Sequence, residues 1–322
     1  MAAPGNAEGR IGELIAACRP GNPGQCCIHP MTNTGPREPR ILLGIGFMML
    51  AASFFPVMNG LVQWLSPRYP SEQIIWARIS GQFVMMLALM LPGAGLMVFA
   101  TRRPLLQIGR SFCQLCSTSL YFVAIATVPL AKAAAIGFLA PFLVALLAWP
   151  LLGEKPQLRR MLAVGSAFAG VLLVIRPGGD GFQAASLLIL LSCSFYALYQ
   201  VLTRKVAPYD SAQTSTLWSS VVGCVVLTIL VPFVWITPAT IADTLAFLAL
   251  GALATAGHYC VARAMSYGQA AVISPFQYWQ IVGSVLMGVA VTGLWPDWGT
   301  WAGAAVIIAA GVFMAVTEGR RR

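Results

Sequence analysis

The feature that most constrains this chain is a succession of apolar blocks, each roughly 18 to 22 residues long, joined by short polar connections. Wound as an α-helix, a block of that length spans the hydrocarbon core of a bilayer, about 30 Å. Lipid offers no water to backbone N–H and C=O groups. A crossing segment must therefore satisfy its own hydrogen bonds, which leaves helices or closed barrels. Barrel strands alternate apolar and polar residues over runs of about ten, and these blocks do not alternate. Composition agrees: 58% of the 322 residues are hydrophobic and 9% are charged, where a soluble domain carries about a quarter charged residues. The expectation is an all-α, polytopic membrane protein of about ten transmembrane helices. Their blocks fall near 41–65, 73–91, 105–127, 131–152, 159–175, 184–203, 213–234, 241–262, 269–292 and 299–317.

Charge placement sets the expected orientation. The net charge of +10 is spread over block ends rather than gathered in one patch, so no nucleic-acid partner is expected. With the N-terminus inside, sixteen Lys and Arg fall on the cytoplasmic side, while Arg68, Lys132 and Arg176 alone fall outside. This positive-inside bias puts both termini in the cytoplasm, with the bilayer of the cytoplasmic (inner) membrane as surrounding solvent. Residues 1–39 are rich in Pro, Gly and Asn and hold no long apolar run, so they read as a disordered cytoplasmic tail rather than a signal peptide. Met31 opens the stretch leading into the first block and is a second candidate start. Residues 318–322 form a basic C-terminus. Of the eight cysteines, Cys113, Cys116, Cys193, Cys224 and Cys260 lie inside blocks and read as small apolar residues. Neither the Cys113-x-x-Cys116 pair nor the tail cysteines match a metal or redox framework, so no metal and no cofactor are expected.

The two halves of the blocks resemble one another at a shift of about 140 residues. Ala52-Ser53-Phe54-Phe55 and Asn59 match Cys193-Ser194-Phe195-Tyr196 and Gln200, and Ala169-Gly170-Val171 matches Ala310-Gly311-Val312. The boundaries are 40–177 for the first repeat and 178–317 for the second, five spans each. An odd number of spans inserts the copies in opposite directions, an arrangement that recurs in secondary transporters.

Several short motifs occur in order: Trp76-Ala77-Arg78, Arg110, Pro129-Leu130-Ala131-x-Ala133 through Pro141-Phe142, Leu152-Gly153-Glu154, Gly170-Val171 and Arg176-Pro177-Gly178. Ser274-Pro275-Phe276-Gln277-Tyr278 and Trp295-Pro296-Asp297 follow in the second half. With these the chain resembles the EamA-type carriers of the drug/metabolite transporter superfamily over residues 40–317. The resemblance implies a ten-helix, inverted-repeat carrier that works by alternating access on a small organic metabolite, amino-acid-like, nucleoside-like or vitamin-like. The branch with the Pro-Phe-Gln-Tyr signature looks like the one holding S-adenosylmethionine and riboflavin uptake carriers, beside exporters of amino acids. One departure stands out: the family's Gly-Glu, present at Gly153-Glu154, is replaced by Gly293-Leu294 in the second half.

Intramembrane polar residues are costly and mark pathways. One face of the third block carries Gln114, Ser117, Thr118 and Tyr121, and the sixth carries Ser192, Tyr196, Tyr199 and Gln200. The seventh carries Gln213, Thr216 and Ser220, and the ninth Gln277, Gln280 and Ser284. These faces suggest one shared polar cavity, although Ser and Thr also bond their own helices. Asn59 sits beside the Pro56 kink. Arg78, in the outer half of the second block, either snorkels to headgroups or faces the cavity and pairs with an anionic substrate group. His258 either relays protons or rests neutral against a backbone carbonyl. Tyr196, Tyr199, Trp218, Tyr278 and Trp279 would line the pathway for a planar or cationic substrate, while Trp64, Tyr69 and Trp235 read as interfacial belt. Ser166 and Gly170, and Ala305 and Ala309, permit close helix packing or a homodimer contact. An integral-membrane enzyme acting on lipid or isoprenoid is the competing class. It would need clustered acids, His or Cys, and two His with no paired intramembrane acids argue against it.

Overall fold

In the computed structural model the described residues are 41–95, 99–153, 158–177, 183–267 and 273–319, all within the unit that runs from Pro39 to Arg322. The expected tail at 1–39, the turn carrying Glu154, the loop holding Gly178 and Asp180, and Arg320 to Arg322 lie outside them. Among the described residues every regular element is helical. The α-helices are α1 (Ile41–Leu65), α2 (Ser71–Ala94), α3 (Pro104–Ile125), α4 (Leu130–Gly137), α5 (Ala140–Leu152), α6 (Leu158–Ile175), α7 (Ala185–Val206), α8 (Ala212–Leu230), α9 (Ile241–Ser266), α10 (Trp279–Thr292) and α11 (Trp298–Gly319). Among the described residues, six stretches are long and apolar enough to cross a membrane: Leu42–Leu65, Ser71–Pro92, Leu130–Leu152, Ala185–Val206, Thr214–Phe233 and Ile241–Ala264. Met161–Ile175 and Trp298–Met314 are shorter apolar helices. The 22-residue α3 is long but amphipathic, burying Gln107, Arg110, Ser111, Ser117 and Thr118 on its inner face.

Local sequence explains where helices start and stop. Thr240 caps α9: its hydroxyl accepts the Asp243 N–H at 3.1 Å and donates to the Asp243 carboxylate at 2.8 Å. Ser211 Oγ accepts the Thr214 N–H at 3.0 Å and caps α8. Gly153 and Gly293 end α5 and α10 with φ of 71°, a left-handed position that glycine adopts without a Cβ clash. That accounts for a glycine at both places even though the following Glu is not repeated.

The fourth apolar block is broken, not merely bent. Pro141 has no N–H to give the Gly137 carbonyl and its ring crowds that carbonyl, so α4 stops at Gly137 and α5 begins at Ala140. The ninth block is irregular at the matching place: Ser274–Tyr278 is a 3₁₀ turn, with Pro275 at its start, before α10. Pro56, by contrast, is accommodated inside a continuous α1.

Small residues set the helix contacts, Gly170 among those expected. A Cβ on Gly303 would meet the Gly170 carbonyl at 2.5 Å, so α6 and α11 touch backbone to backbone. A Cβ on Gly251 would meet the Gly81 Cα at 2.6 Å, and α2 and α9 touch likewise. Ser166, Ala305 and Ala309 lie on exposed faces. Tyr69 departs from the belt expectation: only 5% exposed, it donates to Asp243 at 3.0 Å and accepts the Ala239 N–H at 2.9 Å. Arg68 completes that knot by pairing with Asp243 at 2.8 Å.

Candidate functional site

A cavity of about 710 Å³ runs into the bundle between α1, α2, α3, α4, α5, α7, α9, α11 and the start of α10. Its lining includes exposed Arg204 and Ala207 at the C-terminal end of α7, where it reaches the surface. Arg78 lies seven residues into α2, about 10 Å along its axis, and together with Tyr121 and Phe122 it lines the other end. Beyond Phe122 the way is closed. Val62, Leu65, Ile74, Ile125, Val128 and Leu130 are each at most 1% exposed and join one packed apolar cluster.

Most residues singled out from the sequence come together on this cavity: Asn59, Arg78, Gln114, Tyr121, Tyr196, Gln200, His258, Gln277 and Gln280 all line it. Ser117 and Ser192 line it too, and tie α3 to α7: their hydroxyls are 3.1 Å apart and Ser192 donates to the Ser117 carbonyl at 2.7 Å. Four aromatic candidates lie elsewhere, among them Trp279, which donates to Ser53 Oγ at 3.2 Å. Tyr199 stacks on Tyr196, centroids 5.8 Å apart, and turns its hydroxyl to Arg110. Trp218 donates to the Phe99 carbonyl at 3.1 Å, and Tyr278 packs on Phe138 with centroids 4.7 Å apart. On the seventh-block face, Ser220 is buried away from the lining, and the Gln213 side chain lies outside the described ones. The apolar lining residues Met58, Phe122, Phe138 and Met314 carried no polar signal by which the sequence could mark them. Phe138 could have been found from the Gly137 to Pro141 spacing that breaks the helix beside it.

The two buried arginines behave in opposite ways. Arg110, 1% exposed, is saturated with partners. It donates to Gln107 Oε1 at 3.1 and 2.9 Å, to Thr203 Oγ1 at 3.2 Å, to Tyr199 Oη at 3.4 Å and to the Ser215 carbonyl. Gln107 passes the link on to Asp210 at 2.8 Å, which also accepts from Thr101 at 2.5 Å and the Arg102 N–H at 2.9 Å. Burial raises the Asp210 pKa, but these hydrogen bonds outweigh it and hold the carboxyl below the ordinary carboxylate range. The network clasps α3, α7 and α8 at the cavity's open end.

Arg78 is 7% exposed, and among the described residues it makes no hydrogen bond or ion pair. Its Nε has no partner, and its guanidinium carbon stands 5.7 Å from the Phe122 ring centroid. Asn59 Oδ1 and Gln114 Oε1 are likewise buried without partners. Asn59 Nδ2 reaches Tyr121 Oη at 3.5 Å and Gln114 Nε2 reaches Thr118 Oγ1 at 3.4 Å. Among the described residues His258 meets no backbone carbonyl; its ring stands edge-on to Phe55 at 5.5 Å. Among the described residues no Asp or Glu lines the cavity.

A helical, multi-pass membrane protein with a polar cavity open at one end belongs to the class of small-molecule transporters. The EamA-like transporter family model matches residues 41–176 and again 183–317, and the chain belongs to that family. It is 28% identical to a riboflavin transporter of Rhizobium johnstonii, over 88% of this chain and 94% of that protein. It is 26% identical to a pseudopaline exporter of Pseudomonas aeruginosa, over 85% and 96%. With an S-adenosylmethionine uptake transporter of Rickettsia bellii the identity is 22%, over 86% and 94%. A solved structure described only as the crystal structure of a protein aligns with a TM-score of 0.58, covering 88% of this chain and 98% of that one; at 18% identity the likeness is one of fold.

Proposed function

We propose that this protein is a secondary transporter that moves a small, vitamin-like organic metabolite across the cytoplasmic membrane by alternating access. The observation that carries the reading is the cavity itself, accessible at exposed Arg204 and Ala207 and stopped beyond Phe122 by fully packed side chains. A path open to one side only is what one half of an alternating-access cycle requires. With the positive-inside orientation, the open end faces the cytoplasm and both termini lie there. The ten spans form two oppositely inserted five-helix repeats. Phe138 touching Tyr278, and Gly153 ending a helix as Gly293 does, support this, since each pair lies at the repeat's own shift of about 140 residues. The matched relatives include a riboflavin transporter, an S-adenosylmethionine uptake transporter and a pseudopaline exporter, so the shared architecture serves either direction. The exposed faces of Ser166, Ala305 and Ala309 are where a homodimer would pack.

The test is counterflow in vesicles carrying the purified protein. Vesicles loaded with an unlabelled metabolite receive the labelled compound outside, over a panel of riboflavin, S-adenosylmethionine, nucleosides and amino acids. Transient accumulation of at least one compound above protein-free vesicles supports the proposal. Uptake at the protein-free level for the whole panel contradicts it.

A further inference from the structure

We infer that the cavity is built for a flat heterocycle presenting a carbonyl beside a ring N–H, carried as a neutral molecule or an anion, and that it rejects permanent cations. This rests on the transporter reading above and names the substrate class of the same site.

The inference begins from three cavity-lining residues that each keep a buried polar atom without a partner: Arg78 Nε, Asn59 Oδ1 and Gln114 Oε1. A buried polar group without a partner is expensive, and a buried charge more so. This same chain satisfies its other buried arginine, Arg110, with four different side chains or carbonyls. Packing that closes one site so thoroughly and leaves the other open marks the second as completed by a ligand. A guanidinium only donates, so the ligand atom facing Arg78 must accept: a carbonyl or an anionic oxygen. Each amide also keeps a buried oxygen without a donor, and a ligand N–H is the group that would satisfy it. An amide can exchange its two ends, but Arg78 cannot, so Arg78 sets the polarity of the edge.

Shape and charge narrow the class further. Phe122 lies under the Arg78 guanidinium, Tyr121 leans against it with centroids 6.5 Å apart, and Tyr196 and Phe138 add further ring faces to the lining. Flat faces favour a flat ring, held by offset or edge contacts. Among the described residues no carboxylate lines the cavity to balance a cation, and Arg78 repels one across a medium of low dielectric.

The test is direct binding to the purified full-length protein, followed by flavin fluorescence. The probes are riboflavin, riboflavin methylated on its imide nitrogen, and S-adenosylmethionine as a competing sulfonium. Expected are binding of riboflavin, a loss of at least about tenfold on methylation, and no displacement by S-adenosylmethionine. Arg78→Gln should weaken riboflavin binding by at least about tenfold and Arg78→Lys by less. Gln114→Leu, checked by an unchanged melting temperature, should weaken riboflavin more than it weakens the methylated compound. Equal binding of the two flavins, displacement by S-adenosylmethionine, or no binding of riboflavin to the folded protein overturns the inference. Counterflow separates the two claims. Accumulation of a cation alone sinks the substrate class and leaves transport standing, whereas selective binding without flux does the reverse.

Discussion

The rings of Phe138 and Tyr278 meet with centroids 4.7 Å apart and planes inclined by 44°. Each sits where its own helix is irregular, at the break between α4 and α5 and in the 3₁₀ turn before α10. Irregular backbone at membrane depth is tolerated where it is covered by protein or lines a cavity, and Phe138 lines this one. Replacing Pro141 by Ala restores a donor for the Gly137 carbonyl and removes the clash. The expected outcome is a folded protein whose α4 and α5 tend to join, with transport reduced several-fold. Counterflow with a matched melting curve checks it; unchanged flux would detach the break from function.

Arg110 and Arg78 should respond oppositely to removal. Arg110→Met strands Gln107 Oε1 and the Ser215 carbonyl and uncouples Asp210 from the helices it braces. Its expected cost is about 3 kcal/mol, read as a lower melting temperature. Arg78→Gln removes an unpaired buried charge and should leave the ligand-free melting temperature unchanged or raise it. A large loss of stability at Arg78 would show that it has a structural partner.

Close backbone contact predicts a sharp size limit at Gly303. The Cβ of Gly303→Ala would come within 2.5 Å of the Gly170 carbonyl, so α6 and α11 must move apart. A loss of about 1–3 kcal/mol is expected, larger for Val than for Ala. Ser166→Ala, on an exposed face, should be neutral by the same melting assay.

Two loop carboxylates give the acid limb of stability its sign. At Asp297 burial raises the pKa, but hydrogen bonds from Thr300 and the charge of Arg176, paired at 3.1 Å, bring it below the ordinary value, as at Asp210. A carboxyl whose folded-state pKa is depressed binds fewer protons folded than unfolded. Its contribution is therefore complete above the unfolded value of about 4 and is lost as pH falls below that. Asp297→Asn should flatten the decline in melting temperature below about pH 4 and lower the plateau above it. A decline of wild-type slope in the variant would remove Asp297 from the account.

The apolar blocks foretold the helical segments because block length answers to bilayer thickness alone, one residue at a time. Polar stripes likewise brought out Asn59, Arg78, Gln114, Tyr196 and Gln200, since a polar side chain in lipid has few places to go. What the sequence left hidden depends on partners far away in the chain. Tyr69 looks like belt until Asp243, capped by Thr240, supplies an acceptor for its hydroxyl. Tyr199, Trp218 and Tyr278 share the composition of a cavity lining but turn to Arg110, the Phe99 carbonyl and Phe138. Pro141 breaks its helix where Pro56 does not, a difference that periodicity does not report.

The central claim is that a metabolite crosses the membrane through the cavity that Arg78 lines. Riboflavin counterflow into vesicles holding wild-type protein or Arg78→Gln tests it most directly. The expected result is transient accumulation by the wild type and none by an equally stable variant. Equal accumulation by both proteins would contradict the claim.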